Sequence, residues 1–298
     1  MRKVTIPKQQ QYKGSDMYYK PIQYVYEFSS IQDFSKYLND TPITEAFKVK
    51  AKHTGSQEAY SFKHLGEGRD EPVSWHGTAT YEVAEDLLVH GWKFGASKLT
   101  NNLKAVNTVT ATVQQRYLDQ VGYQAIVPLY LQGVPNNMVN QRRVVQKQKV
   151  VDLVQLVCFS SGVSTKEALA EATKSLQVVE LLERKGYRAN VSVLFSTGVV
   201  AARIPLKRAN EPLNISKLAY PLCHPAMFRR QYFRFVESCP DIPTSFTMGY
   251  GKVLPREAMA SVLKPNEIAI GSTLLKLANE GTIGTRELDA ILADLQNG

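Results

Sequence analysis

The chain has 298 residues, of which 44% are apolar and 21% charged: enough apolar mass for a buried core, and too little charge for a globally disordered chain. Lysine and arginine outnumber aspartate and glutamate by 36 to 27, a formal charge of +9 that points towards acidic partners. Cys158, Cys223 and Cys239 share no CxxC spacing, which excludes a disulfide scaffold and speaks against a cysteine-rich zinc site; no apolar run is long enough for a membrane span, and Met1 to Lys8 lacks the apolar stretch of a signal peptide.

Residues 1–20 read as a basic tail, with Arg2, Lys3, Lys8, Lys13 and Lys20 against the single acid Asp16. Tyr24 to Phe28 predicts a short strand. Ser30 and Asp33 then form a capping-box pair, with aspartate in place of glutamate, that opens a helix. Residues 53–73, rich in Gly, His, Ser and charge, read as a long surface loop. Thr80 caps a helix that shows Val83, Ala84, Leu87 and Leu88 on one face and stops at Gly91. Trp92 follows directly and docks that helix by its C-terminal end. Leu99 and Leu103 predict a second helix over 96–105, while residues 108–118 suit strand or helix. Pro128 demotes the apolar run Ala125 to Leu131 to an edge strand or extended segment. A turn at Gly133 to Asn137 leads into Arg142, Arg143, Lys147 and Lys149, with no acid among them.

The centre of the chain is the most readable part. Val150 to Phe159 is apolar on both faces, as in a strand buried on both sides of a parallel sheet. Ser164 and Glu167 form a capping box. Leu169, Ala172, Leu176, Val179 and Leu182 then follow helical spacing, and Gly186 marks the stop. Val191, Val193 and Phe195 alternate in a second strand, which completes a right-handed crossover unit. Val199 to Lys207 predicts a third strand in an antiparallel hairpin with the second. Residues 215–237 read as helix broken near Pro221 and Pro225. Two short helices are expected over 266–279 and 286–295. The fold class is therefore α/β: a central strand-helix-strand crossover with an added hairpin strand, helices on both faces and a mixed N-terminal region packed on it. The divisions expected are the tail at 1–20, an N-terminal α+β region at 21–140 and an α/β core with C-terminal helices at 141–298, the last two joined as one domain or separate.

This crossover followed by a hairpin is similar to the von Willebrand factor A fold, whose D-x-S-x-S motif binds a divalent metal. The matching register here is Cys158-Phe159-Ser160-Ser161-Gly162. Cysteine stands in the aspartate position, so no metal is expected. A second resemblance rests on an ordered set of phrases over roughly residues 70–255. They are Trp75-His76-Gly77-Thr78-Ala79-Thr80-Tyr81, His90-Gly91-Trp92-Lys93-Phe94-Gly95, Gly133-Val134-Pro135-Asn136-Asn137-Met138 and His224-Pro225-Ala226-Met227-Phe228-Arg229-Arg230, with Phe233, Glu237 and Gly249-Tyr250-Gly251 after them. Together they resemble an uncharacterised protein family of tailed bacteriophages and prophages. That resemblance implies a phage origin and no known activity.

No G-x-S-x-G, H-E-x-x-H or Walker A motif is present. Cys223 and His224 are adjacent, a poor arrangement for a nucleophile and its base. His53, His64 and His76 offer a zinc set from one loop, with plain loop histidines as the simpler account. No cofactor, metal or catalytic residue is expected. The clearer chemistry is cationic. A second basic run holds Arg203, Lys207, Arg208, Lys217, Arg229, Arg230 and Arg234 against Glu211 and Glu237, interleaved with Tyr220, Phe228, Tyr232 and Phe233. Phe228, Tyr232 and Phe235 also recur at helical spacing, which suits core packing. The leading expectation is a non-enzymatic phage protein that binds DNA, RNA or a phage nucleoprotein through a basic face, in the host cytoplasm and without membrane contact. Arg142, Arg143, Arg229, Arg230 and Arg234 are the expected phosphate contacts, and Trp75, Trp92 and Tyr232 the stacking groups. The alternatives are a virion structural or assembly component, and an enzyme whose site the motifs do not reveal. The oligomeric state is left open.

Overall fold

The computed structural model describes residues 1–8, 21–44, 76–103, 114–143, 149–157, 163–242, 254 and 256–270. In chain order the strands are β1 (Arg2–Thr5), β2 (Tyr24–Glu27), β3 (Gln114–Asp119), β4 (Gln124–Ala125), β5 (Met138–Arg143), β6 (Val150–Val157), β7 (Arg188–Thr197), β8 (Val200–Lys207) and β9 (Glu267–Ile270). The helices are α1 (Ile31–Asp40), α2 (Tyr81–His90), α3 (Lys93–Leu103), α4 (Val127–Leu131), α5 (Thr165–Arg184), α6 (Ile215–Cys223), a π-helical segment (Met227–Tyr232) that runs on into α7 (Phe233–Ser238), and α8 (Arg256–Ala260).

Six strands form a mixed sheet in the order β1-β2-β8-β7-β6-β9. β6 runs parallel to β7 and to β9, and β7 and β8 form the antiparallel hairpin. The crossover β6-α5-β7 stands as its sequence reads. Ser164 Oγ accepts from the Glu167 N–H at 3.3 Å, and the Glu167 carboxylate accepts from the Ser164 N–H at 2.7 Å. Leu153 and Val154 point to opposite faces of β6 and both are buried, so the sheet is covered on both sides there.

The N-terminus is a strand where a tail is expected. Arg2 to Thr5 pairs antiparallel with β2, which in turn runs parallel to β8. Val4 packs partly into the core and Ile6 is buried, a period-2 signal masked by the basic residues around it. The Lys3 ammonium lies 2.6 Å from Asp241, which also accepts from the Tyr26 hydroxyl, so β1 and β2 are tied to the end of α7. At α1 the cap is split between neighbours. Ser30 Oγ accepts from the Asp33 N–H, but the Asp33 carboxylate accepts from the Ser29 N–H at 2.9 Å and meets the terminal ammonium at 3.0 Å. These donors, Ser29 first, hold its carboxyl below the usual range.

Two further expectations are corrected. Pro128 opens the short helix α4, because proline lacks only an N–H that the first turn leaves unpaired in any case. Residues 267–270 are strand β9, paired with β6, where a helix over 266–279 is expected. Four residues are too few for periodicity to separate the two states. Residues 271–298 lie outside the described residues, as do the loop at 53–73 and the Cys158 to Gly162 register.

Helix α2 begins at Thr80, whose Oγ1 accepts from the Val83 N–H, and ends at Gly91. Gly91 has φ +85°, and a Cβ there would lie 2.9 Å from the Ser216 carbonyl oxygen at the start of α6. The stop is therefore also a close approach between helices. Among the described residues, no helix is long and apolar enough to cross a membrane.

Candidate functional site

The motif phrases around residues 77–80, Trp92 and residues 224–230 meet at the buried helix that follows α6, while residues 133–138 lead from α4 into β5. His224 caps α6 and is buried. Its Nδ1 accepts from the Ala226 N–H at 3.1 Å, its ring stacks on Tyr220, and it stands perpendicular to the Trp92 ring with ring centres 4.6 Å apart. Gly77 backs onto it so closely that a Cβ would sit 3.1 Å from His224 Cε1. Arg230 reaches the same loop: Nε donates to Thr78 Oγ1 at 2.7 Å, and Nη2 donates to the carbonyls of Thr78 at 2.9 Å and Ala79 at 3.2 Å.

Arg229, Arg230 and Arg234 are all buried, and so is Tyr232. Their expected roles as phosphate contacts and stacking group are therefore corrected. From Met227 to Ser238 every residue is buried, so this helix has no solvated face to offer a ligand. The guanidinium groups act inward, where their planar set of donors satisfies backbone carbonyls. Arg229 donates to the Val163 carbonyl at 3.2 Å, and Arg234 donates to the Thr41 carbonyl at 2.9 Å and to Ser238 Oγ at 2.6 Å. Burial pushes Arg229 down to about 10, which leaves it charged at neutral pH. The Tyr232 hydroxyl donates to the Val200 carbonyl while its ring stacks between Phe195 and Phe228. Arg203 and Lys207 also point inward, to Glu267 and Glu183 at 2.6 Å each. Arg208 and Lys217 remain exposed.

The other expected residues fall elsewhere. Trp92 is half-buried and packs on the core beside His224, which leaves it poorly placed for stacking on a base. Trp75, His53 and His64 lie outside the described residues, and His76 is buried. Cys223 gives its thiol hydrogen to the Ala219 carbonyl, and burial raises its pKa, so it is no ready nucleophile. Among the described residues no group of three His, Cys, Asp or Glu side chains is placed to hold a metal ion.

His224 carries a pH test. Burial pushes its pKa down from 6.5 to about 4. Between those values the unfolded chain binds a proton that the folded chain refuses, so stability is full above about pH 6.5 and falls as the pH drops towards 4. The expected fall from this group is about 2–3 kcal/mol. Denaturant titrations across that window should show it in the wild type, and a folded His224→Gln variant should lack it; equal slopes would mean the ring takes up its proton freely.

Arg142 and Arg143 belong to a different place. Strand β5 lies between β3 and β4 in a separate three-stranded sheet, with Arg142 registered on Gln115 and Arg143 on Gln114. This sheet and helix α4 form an arm: from Arg116 to Gln141 no residue is buried. The arm sits within the most one-sided stretch of charge in the chain. Between Leu87 and Val151, Lys93, Lys98, Lys104, Arg116, Arg142, Arg143, Lys147 and Lys149 face Asp119 alone. Arg116 and Lys149 are exposed, and so are Lys93 and Lys98 on α3. Phe94 is also exposed, with the Lys98 ammonium 5.5 Å from its ring centre. Short motifs do not reveal this stretch; charge balance over a window of that length does.

Neither a curated protein nor a solved structure matches the chain. The model of a domain of unknown function, DUF7192, matches residues 8–288, and the chain belongs to that family.

Proposed function

We propose that this protein binds nucleic acid, alone or within a nucleoprotein, through the basic root of the arm. The observation that carries the reading is the segregation of charge between Leu87 and Val151, within which Lys93, Lys98, Arg116 and Lys149 are exposed. Arg116, Arg142 and Arg143 on the arm, with Lys93 and Lys98 on α3, are the phosphate contacts. Exposed Phe94 replaces Trp92 and Tyr232 as the stacking group. The ordered phrases support a tailed-phage or prophage origin, and with it work beside the phage genome in the host cytoplasm. The hairpin after the crossover supports a likeness to the von Willebrand factor A fold, although β8 here pairs with β2 and is not an edge. A second reading, a virion assembly component, is favoured by the exposed end of the same arm; it would appear in purified particles at fixed stoichiometry.

Fluorescence anisotropy with labelled single- and double-stranded DNA and RNA tests the first reading. Affinity should fall steeply with salt, and an Arg142→Glu, Arg143→Glu double variant should bind at least ~10-fold more weakly. The slope of log K against log salt should lessen by about 2 in that variant, since each neutralised phosphate contributes roughly 0.7–0.9. Wild-type affinity in the variant, or no binding at low salt, would discard the proposal.

A further inference from the structure

We propose that the uncharged end of the arm is a self-association surface, occupied by a second copy of this chain. The inference rests on apolar exposure and on the absence of charge, not on the basic root. From Gln120 to Gln141 the sequence holds no Asp, Glu, Lys or Arg. Within that stretch Val121, Tyr123, Val127, Tyr130 and Leu131 are between 56% and 78% exposed. Together these side chains present on the order of 600 Å² to solvent, close to the ~800 Å² that each partner buries in a stable pair. Val127, Tyr130 and Leu131 stand three and four residues apart and so share one side of α4.

The arm's own architecture asks for a cover. Strand β4 has two residues and α4 has five, and nothing between Arg116 and Gln141 is buried. A sheet this small is marginal unless an apolar face is packed against something.

Charge selects the occupant. A polyanion finds no cation at this end, and anionic lipid headgroups find none either. In a two-fold contact the residues on the axis lie near their own copies, so a charge at the centre meets its like. An uncharged centre avoids that repulsion. Arg116, Arg142 and Arg143 stand at the root of the arm, clear of the contact, and a pair would present two basic roots to one nucleic acid.

Sedimentation equilibrium of the full chain tests this, after nuclease treatment and in high salt, so that bridging by nucleic acid is removed. The expected mass is twice the 33.3 kDa of one chain. A Tyr130→Glu, Leu131→Glu double variant sets charges against their own copies and should weaken association at least ~100-fold. Should its circular dichroism differ from the wild type, Tyr123→Lys serves under the same readout. Lys36→Glu, exposed on α1, should leave the mass unchanged. A monomeric wild type at micromolar concentration, or a dimer that survives the charged end, overturns the proposal. So does flotation of the wild type with neutral vesicles, which would give this surface to a membrane. Because nucleic acid is absent from the experiment, its result is independent of whether the basic root binds nucleic acid.

Discussion

An Arg230→Met protein is expected to lose about 3–5 kcal/mol of unfolding free energy, although the substitution nearly conserves volume. Arg230 is fully buried and makes three hydrogen bonds to Thr78 and Ala79, just ahead of the Thr80 cap of α2. Methionine removes every donor and leaves the two carbonyls and the Thr78 hydroxyl without this partner. Lysine should not rescue the loss, since a single ammonium cannot span three acceptors in a fixed fork. The loss is a large share of the ~5–15 kcal/mol that holds a typical domain folded. Urea unfolding measures it directly, with Arg116→Met as the exposed control at about ±0.5 kcal/mol. A cost under ~1 kcal/mol would show that the loop before α2 does not depend on this anchor.

Phe235→Ala should cost about as much, roughly 3–5 kcal/mol, for a different reason. Its ring is the hub where the N-terminal elements meet α7. Tyr26 lies 5.3 Å away between ring centres, Tyr232 5.7 Å, Tyr37 5.8 Å, Phe28 6.0 Å and Phe34 6.3 Å. These neighbours belong to β2, α1, the link between them and the π-helical segment, so they cannot all collapse into the space that alanine leaves. Phe235→Leu keeps most of the volume and should lose less than half as much. Phe94→Ala removes the same ring from an exposed site and should lie within about ±0.5 kcal/mol. Calorimetry will read the difference as a shift in midpoint, and comparable shifts for Phe235 and Phe94 would refute the hub.

The parts of the fold that could be read in advance are those whose signals are local. The Ser164–Glu167 box, the spacing from Leu169 to Leu182 and the apolar run from Val150 each describe their element within a few residues. The sheet neighbours of β1, β2 and β9 are set by distant partners, and short strands rich in charge look like tails or helix ends until the partner is known. The buried arginines failed for another reason. Formal charge argues for the surface, and a helix with Phe228, Tyr232 and Phe235 on its inner side leaves Arg229, Arg230 and Arg234 for an outer one. In the fold that helix has no outer side, because α2, α6 and the loop at Thr78 close over it. Arg142 and Arg143 were legible as a charge run, but the arm that carries them was not. Its sequence is apolar enough to pass for core, and only the structure shows it uncovered.

The pairing of β2 with β8 also bears on how the chain is made. Tyr24 is registered on Val200, so β2 leaves the ribosome long before its parallel partner exists. At ~5–20 residues per second that wait is on the order of ten seconds or more. The hairpin β7-β8 and the crossover before it close over short distances and fold late but quickly, while β1 and β2 stay tethered as an unmatched ribbon until β8 arrives. A nascent chain stalled just after α5 should therefore expose β2 to chaperones, and one stalled beyond α7 should not.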